Sequence, residues 1–167
     1  SGETADTLAA LRLSKNIGFF ATLTICNVAT SSMVRESDLS LLLQIGSEIG
    51  VASTKAFTCQ LIVLACLAIH IGRINGNINN ISENTYVKSL LTIPRLISNV
   101  LDNEDDLIRI VKDLNPIKNA LYLGRGQMYP VALEGALTLK ESSYIHAEGY
   151  PAGEMKHGPI ALLERGL

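Results

Sequence analysis

The sequence contains no tryptophan, and its aromatic residues make up only 5% of the chain. A core built without large rings must come from Leu, Ile, Val and Ala, which suits helices packed on a buried sheet. Cysteine is as sparse. Cys26, Cys59 and Cys66 are an odd count with no short paired spacing, which argues against a disulfide framework and against a zinc site. On a helix, Cys59 and Cys66 share a face, where free cysteine acts as a small core residue. A reducing, cytoplasmic compartment fits this usage. Neither sign of charge dominates. Fourteen basic and sixteen acidic residues leave a net charge of −2, scattered without a basic stripe, so nucleic acid is not an expected partner. A clean membrane span is lacking too. The most apolar run, Ala56 to Ile71, is interrupted by Thr58, Gln60 and His70 and falls short of the ~18–20 apolar residues a span needs. It reads as a buried core helix, with His70 in the core or an interface and without a role. The N-terminus has neither the basic start nor the apolar stretch of a signal peptide.

What the chain does have is enough apolar residues, 47% of 167, for a sizeable core, and a length typical of one domain. Ala5 to Lys15 reads as a helix with Thr4 as its N-cap and Asp6 at the positive end of its dipole. Phe19 to Val28 and Leu39 to Ile45 read as buried strands, joined by a turn at Thr30–Ser32 and a short polar link over Val34 to Ser37. Thr54 to Ile74 is a long helix capped by Ser53. Asn75 to Asn80 is a loop and the expected domain boundary. Helices follow over Ser82 to Leu101, with Pro94 expected to kink or split it, and over Glu104 to Leu114. After a break at Asn115-Pro116, Ala120 to Gly124 is a short strand, Tyr129 to Ala147 a helix with Pro130 in its first turn, and Gly149 to Pro159 a loop. Strands alternating with helices predict an α/β fold with parallel sheets covered on both faces. The chain opens on Ser1-Gly2-Glu3-Thr4 with neither Met nor a preceding strand, so it is expected to begin within a larger unit.

Four segments could carry chemistry. Ser1 to Thr4 precedes a helix, where backbone N–H groups and hydroxyls form a phosphate cradle; an ordinary N-cap uses the same residue types. Gly46 to Lys55 holds two glycines that let backbone approach a ligand, with Glu48 and Ser53 able to hold hydroxyls; a plain strand-to-helix connection reads equally well. Glu134, Thr138 and Glu141 fall on one helix face, placed for proton transfer or as a solvated stripe. Gly135 in that helix points to a close approach by backbone or ligand. Finally, His146, Glu148, Glu154 and His157 lie among turn-forming residues. No spacing there matches a helix-borne metal motif. A catalytic histidine on a Gly-flanked loop is the sharper reading, while His146 is more simply a buried, hydrogen-bonded helix residue.

In order along the chain, SGETADTLAALRLSK, TICNV, MVRESD, EIGVASTKAFT, LGRG, ALEGAL, LKE, SYIHAEGY and AGE followed by KHGP resemble the glucosamine-6-phosphate synthase family, the glutamine–fructose-6-phosphate aminotransferases. The resemblance covers nearly the whole chain and is weakest from Ile71 to Lys118. It implies a sugar isomerase (SIS) fold, two doubly wound subdomains with flavodoxin-like parallel sheets and helices on both faces. Residues 1–74 would be the C-terminal half of the first subdomain, 75–117 a helical linker, and 118–167 the N-terminal half of the second.

The resemblance also implies a function: part of the isomerase domain of an enzyme making glucosamine 6-phosphate from fructose 6-phosphate and glutamine. Ser1 and Thr4 match the end of the family's phosphate loop, and Glu48, Val51 and Ser53 match residues lining the sugar. Glu141 matches the acid/base that moves a proton between C1 and C2. His157 matches the histidine that assists ring opening, reaching the site from the neighbouring subunit of a homodimer. No metal or cofactor is implied. The family's Schiff-base lysine would lie beyond Leu167, and its glutaminase domain before Ser1. Thr138 stands where the family usually has a lysine, which leaves a non-catalytic sugar-phosphate-binding module as the alternative.

Overall fold

The computed structural model of the chain describes residues 2–114 and 117–163. They fall into two compact units, Ser1–Pro94 and Arg95–Leu167.

The first unit opens with α1 (Ala5–Asn16), β1 (Leu23–Cys26), α2 (Ser32–Glu36) and β2 (Leu39–Leu42). The strands pair in parallel, Leu23 with Leu39 through Cys26 with Leu42. A side-chain staple sets this register. The Thr22 backbone N–H and hydroxyl both donate to Asp38 Oδ2, at 2.8 and 2.7 Å, and the Asp38 N–H donates back to Thr22 Oγ1 at 3.0 Å. One face of β1 is small, polar and buried, through Thr22, Thr24 and Cys26. The Thr24 hydroxyl on that face has no partner among the described residues.

Both strands are shorter than the apolar runs predict. Phe19 and Phe20 lie outside β1 and are exposed, because a parallel ladder extends only as far as its partner strand does. All four residues of β2 are exposed rather than buried. The segment expected as a polar link is instead α2, whose cap Ser31 accepts from the Val34 N–H at 3.4 Å. Arg12 of α1 forks onto Glu36 of α2 at 2.8 and 2.6 Å, a geometry suited to guanidinium.

The long helix α3 spans Lys55–Ile74. The expectation of a buried core helix does not hold: none of its residues is buried, Cys66 and His70 are exposed, and Cys59 is half-buried. Within the unit it meets β1, where Gln60 Nε2 reaches the Ile25 carbonyl at 3.5 Å, and the helix that follows it, where Arg73 pairs with Glu83 at 2.8 Å. With 20 residues and a mean hydropathy of 1.8, α3 is long and apolar enough to cross a membrane by length and composition alone. The interrupted Ala56–Ile71 run understated it.

Helix α4 (Asn80–Leu101) continues through Pro94 rather than splitting there, and the division between the two units falls directly after this residue. In the second unit, α5 (Glu104–Leu114) precedes β3 (Asn119–Gly124), α6 (Tyr129–Ser143) and β4 (His146–Pro151). β3 and β4 pair in parallel, from Asn119 with His146 to Gly124 with Pro151. The expected helix to Ala147 stops at Ser143 because Tyr144 takes a left-handed conformation, φ 59, and the chain turns into a strand where a helix end and loop were expected. His146 is therefore an exposed strand residue, not a buried helical one.

Small side chains bring α6 onto this sheet. Ala132, Ala136 and Ala147 are buried, and a Cβ on Gly149 would lie 2.9 Å from the Leu133 Cα. The close approach expected at Gly135 is made by a ring: a Cβ there would meet Tyr122 Cε1 at 2.7 Å.

Candidate functional site

The predicted residues lie in both units: Thr4, Glu48, Val51 and Ser53 in the first, Glu141 and His157 in the second. Ser1 lies outside the described residues.

In the first unit, the segment before α1 is seated by contacts the sequence did not single out. Gly2 is buried with φ +83, and a Cβ would fall 2.6 Å from Cys26 Sγ and 2.6 Å from Ser31 Cβ, so only glycine fits this turn. The Gly2 carbonyl accepts from the Met33 N–H at 3.1 Å. Glu3 Oε1 accepts from the Ser32 N–H at 2.7 Å, and the Ser32 hydroxyl and N–H hold this carboxyl below the usual carboxylate range. Thr4 occupies the N-cap position of α1, but its hydroxyl makes no capping bond. The hydroxyl oxygen that would accept from a first-turn N–H in an ordinary cap does not do so, and those N–H groups, carrying partial positive charge, keep no side-chain cap from Thr4.

The loop before α3 is tied at its start by Asn27, whose side-chain N–H donates to the Gly46 carbonyl at 2.6 Å while its Oδ1 accepts from the Ile45 N–H at 3.1 Å. Lys55 Nζ reaches back to the Ser47 carbonyl at 2.7 Å. Ser53 is not the cap of α3. Thr54 holds that position without a side-chain bond, and Glu48 Oε1 accepts from the Ala56 and Thr54 N–H groups at 2.9 and 3.2 Å. Those N–H groups, with the charge of Lys55, hold the Glu48 carboxyl below its usual range. Val51 is 93% exposed and Ser53 is exposed.

In the second unit, Glu134, Thr138 and Glu141 recur on the side of α6 opposite its buried Ala132–Ala136 stripe. Glu141 is exposed. His157 ends a 3₁₀ helix, Ala152–His157, and its Nδ1 lies 2.8 Å from Glu154 Oε2. A carboxylate only accepts, so Nδ1 is the donor of this bond, and Nε2 is left free of Glu154. Glu154 is thus an orienting partner that the AGE and KHGP motifs contained but spacing alone did not assign. On β4, Tyr150 donates its hydroxyl to Glu148, whose other oxygen is 3.6 Å from His146 Nε2. Hydrogen bonding to Glu148 raises the Tyr150 pKa. No group of three or more potential metal ligands occurs among the described residues.

Two parallel βαβ units define an α/β protein, and the chain belongs to the SIS domain family, which it matches over residues 1–70 and 113–167. Among curated proteins, it is 54% identical over its whole length to the glutamine–fructose-6-phosphate aminotransferase [isomerizing] of Photorhabdus laumondii. It is 53% identical over 98% of its length to that of Haemophilus ducreyi. The chain spans 27% of the length of each. Among solved structures, the C-terminal domain of glucosamine-fructose-6-phosphate aminotransferase from Francisella tularensis superposes with a TM-score of 0.95 at 46% identity, covering 99% of this chain and 47% of that one. A glucosamine-6-phosphate deaminase from Thermotoga maritima superposes with a TM-score of 0.74 at 27% identity over the same shares.

Proposed function

We propose that this chain is part of the isomerase portion of an enzyme that makes glucosamine 6-phosphate from fructose 6-phosphate and glutamine, in the cytoplasm and as a homodimer, with a glutaminase domain elsewhere in the same polypeptide. The observation that carries this reading is identity above 50% to such aminotransferases across 98–100% of the chain. Residues 1–74 and 118–167 then belong to successive SIS subdomains joined by a helical linker, a division supported by the family match over 1–70 and 113–167.

In this reading the uncapped α1 N-terminus, with Ser1 and Thr4, takes the phosphate: N–H dipoles favour the anion and the Thr4 hydroxyl is unspent on capping. Val51 and Ser53 lie against the sugar. His157 assists ring opening across the subunit boundary through Nε2, with Glu154 keeping the proton on Nδ1. Glu141 then removes a proton from C1 of the open chain and returns it at C2 while the hydroxyl proton passes from O1 to O2, which converts the ketose skeleton to the aldose one with no net change in atoms or electrons. A positioned general base contributes about 10²–10⁴-fold.

The test is Glu141→Gln in the full-length protein. Isomerisation falls by at least ~10²-fold, while calorimetric titration still shows binding of glucosamine 6-phosphate and none of unphosphorylated glucosamine. Comparable turnover in the variant overturns the assignment. A second reading, a sugar-phosphate-binding module without chemistry, is favoured by Thr138, which offers no cation where the family usually has one. Phosphate-dependent binding without turnover by the wild-type protein selects it.

A further inference from the structure

We infer that Glu48 is a positioning residue: its carboxylate caps α3 and thereby fixes the loop that presents Val51 and Ser53, instead of touching the sugar itself. The functional meaning of that loop rests on the sugar-phosphate reading; the capping does not.

The first turn of any α-helix leaves four N–H groups without intrahelical partners. At α3 the two residues whose chemistry suits capping leave them unanswered. Ser53 is not at the cap position, and Thr54, which is, makes no side-chain bond. Both acceptor contacts come from one oxygen of Glu48, eight residues before Ala56 in the chain. An acidic group at this end also opposes the helix dipole favourably.

That bond does more than satisfy the helix. It closes residues 48–56 into a ring. The side chains within the ring contribute little to its shape, since Ile49 and Val51 are 97% and 93% exposed and Gly50 has no side chain to pack. The other ties, from Asn27 and Lys55, hold Gly46 and Ser47 and leave 49–53 untouched. Glu48 is therefore the contact that decides whether this stretch is ordered before a ligand arrives. A carboxylate already accepting two backbone bonds is poorly suited to proton transfer.

Loss of a helix cap costs typically ~1 kcal/mol, which corresponds to a five- to tenfold shift in population. A loop competent for a correspondingly smaller fraction of the time weakens apparent binding by that factor and leaves the chemical step alone. In the full-length protein, Glu48→Ala is expected to raise KM for fructose 6-phosphate about five- to tenfold with kcat within about twofold. Glu48→Gln keeps an acceptor oxygen at the same reach and is expected to restore KM to within about threefold. Hydrogen exchange at the Thr54 and Ala56 amides, read without sugar, should quicken about five- to tenfold in the alanine variant and stay near wild type in the glutamine variant. Unchanged exchange in Glu48→Ala overturns the inference, as does a fall in kcat shared equally by both variants, which would mark a residue acting on substrate. Inactivity of the wild-type protein counts against the proposed function alone, because amide exchange still reads the cap.

Discussion

Replacing Gly124 by alanine places a carbon where the backbone of the next segment already runs. Gly124 ends β3 and is buried. A Cβ built there would lie 2.6 Å from the Met128 carbonyl carbon and 2.6 Å from the Tyr129 Cα. Ordinary carbon contacts begin near 3.4 Å, so the start of α6 would have to retreat by the difference. The obstacle is main chain, which cannot rotate away as a side-chain tip can. Overpacking of this kind costs about 1–3 kcal/mol, and the rigid obstacle puts Gly124→Ala at the upper end, about 3 kcal/mol. Against this stands about 0.4–1 kcal/mol gained by stiffening the unfolded chain, for a net loss near 2 kcal/mol. With a urea m-value of about 2 kcal/mol/M, the midpoint followed by circular dichroism should fall by about 1 M. Gly135→Ala supplies the control. Its added carbon meets the ring of Tyr122 at 2.7 Å, a group able to pivot, and alanine gains about 1 kcal/mol in a helix interior. Its net effect should be small. If Gly124→Ala melts at the wild-type midpoint, or Gly135→Ala is the more damaging, the close seating of α6 on β3 is refuted.

Two further outcomes follow from the first unit. Thr24→Val replaces a buried hydroxyl without a partner among the described residues by a methyl group of similar shape, and relief of that unmet bond should stabilise the protein by about 1 kcal/mol, read as a higher denaturation midpoint; destabilisation would mean that the hydroxyl is bonded. The Thr22 hydroxyl and N–H hold the Asp38 carboxyl below its ordinary value. A carboxyl with a depressed folded pKa contributes stability in full above its unfolded value, about 3.9, and loses it as pH falls through the lower folded value. The stability gap between wild type and Asp38→Asn should therefore be constant near neutrality and shrink below about pH 4, and a gap independent of pH would contradict the staple.

The helices and the parallel α/β class were legible because periodicity and caps are local properties. α1, α4, α5 and β3 sit within a few residues of where the pattern puts them. β4 was not legible. Its residues His146 to Pro151 are small or polar and resemble a helix end running into a loop; they become a strand only because β3, on the far side of α6, offers a ladder. α2 was missed for the opposite reason, being five residues long and too short for a period to register. The apolar run at Phe19 misled because apolarity marks what could pair, while register decides what does. Among the site residues, the motifs pointed to Glu48, Glu141 and His157, but not to the groups that Glu48 and His157 bond. Glu48 reaches across eight residues of loop, a distance no capping rule inspects, and Ser53 looked the better cap by residue type. Glu154 stood in the same motif as His157, and only the 3₁₀ turn brings its carboxylate to the ring.

The register of the two sheets also bears on how the chain finds its shape. Leu23 meets Leu39 after about 16 residues, and Asn119 meets His146 after about 27, so each parallel pairing closes a short excursion within its own unit. The entropy of closure grows only logarithmically with length, and the second costs about 0.5 kcal/mol more than the first. Parallel sheets are slow to assemble when their partners are remote; here each strand has its mate close by in the sequence. The two pairings can nucleate independently and early, and the search that remains is for whatever covers their outer surfaces.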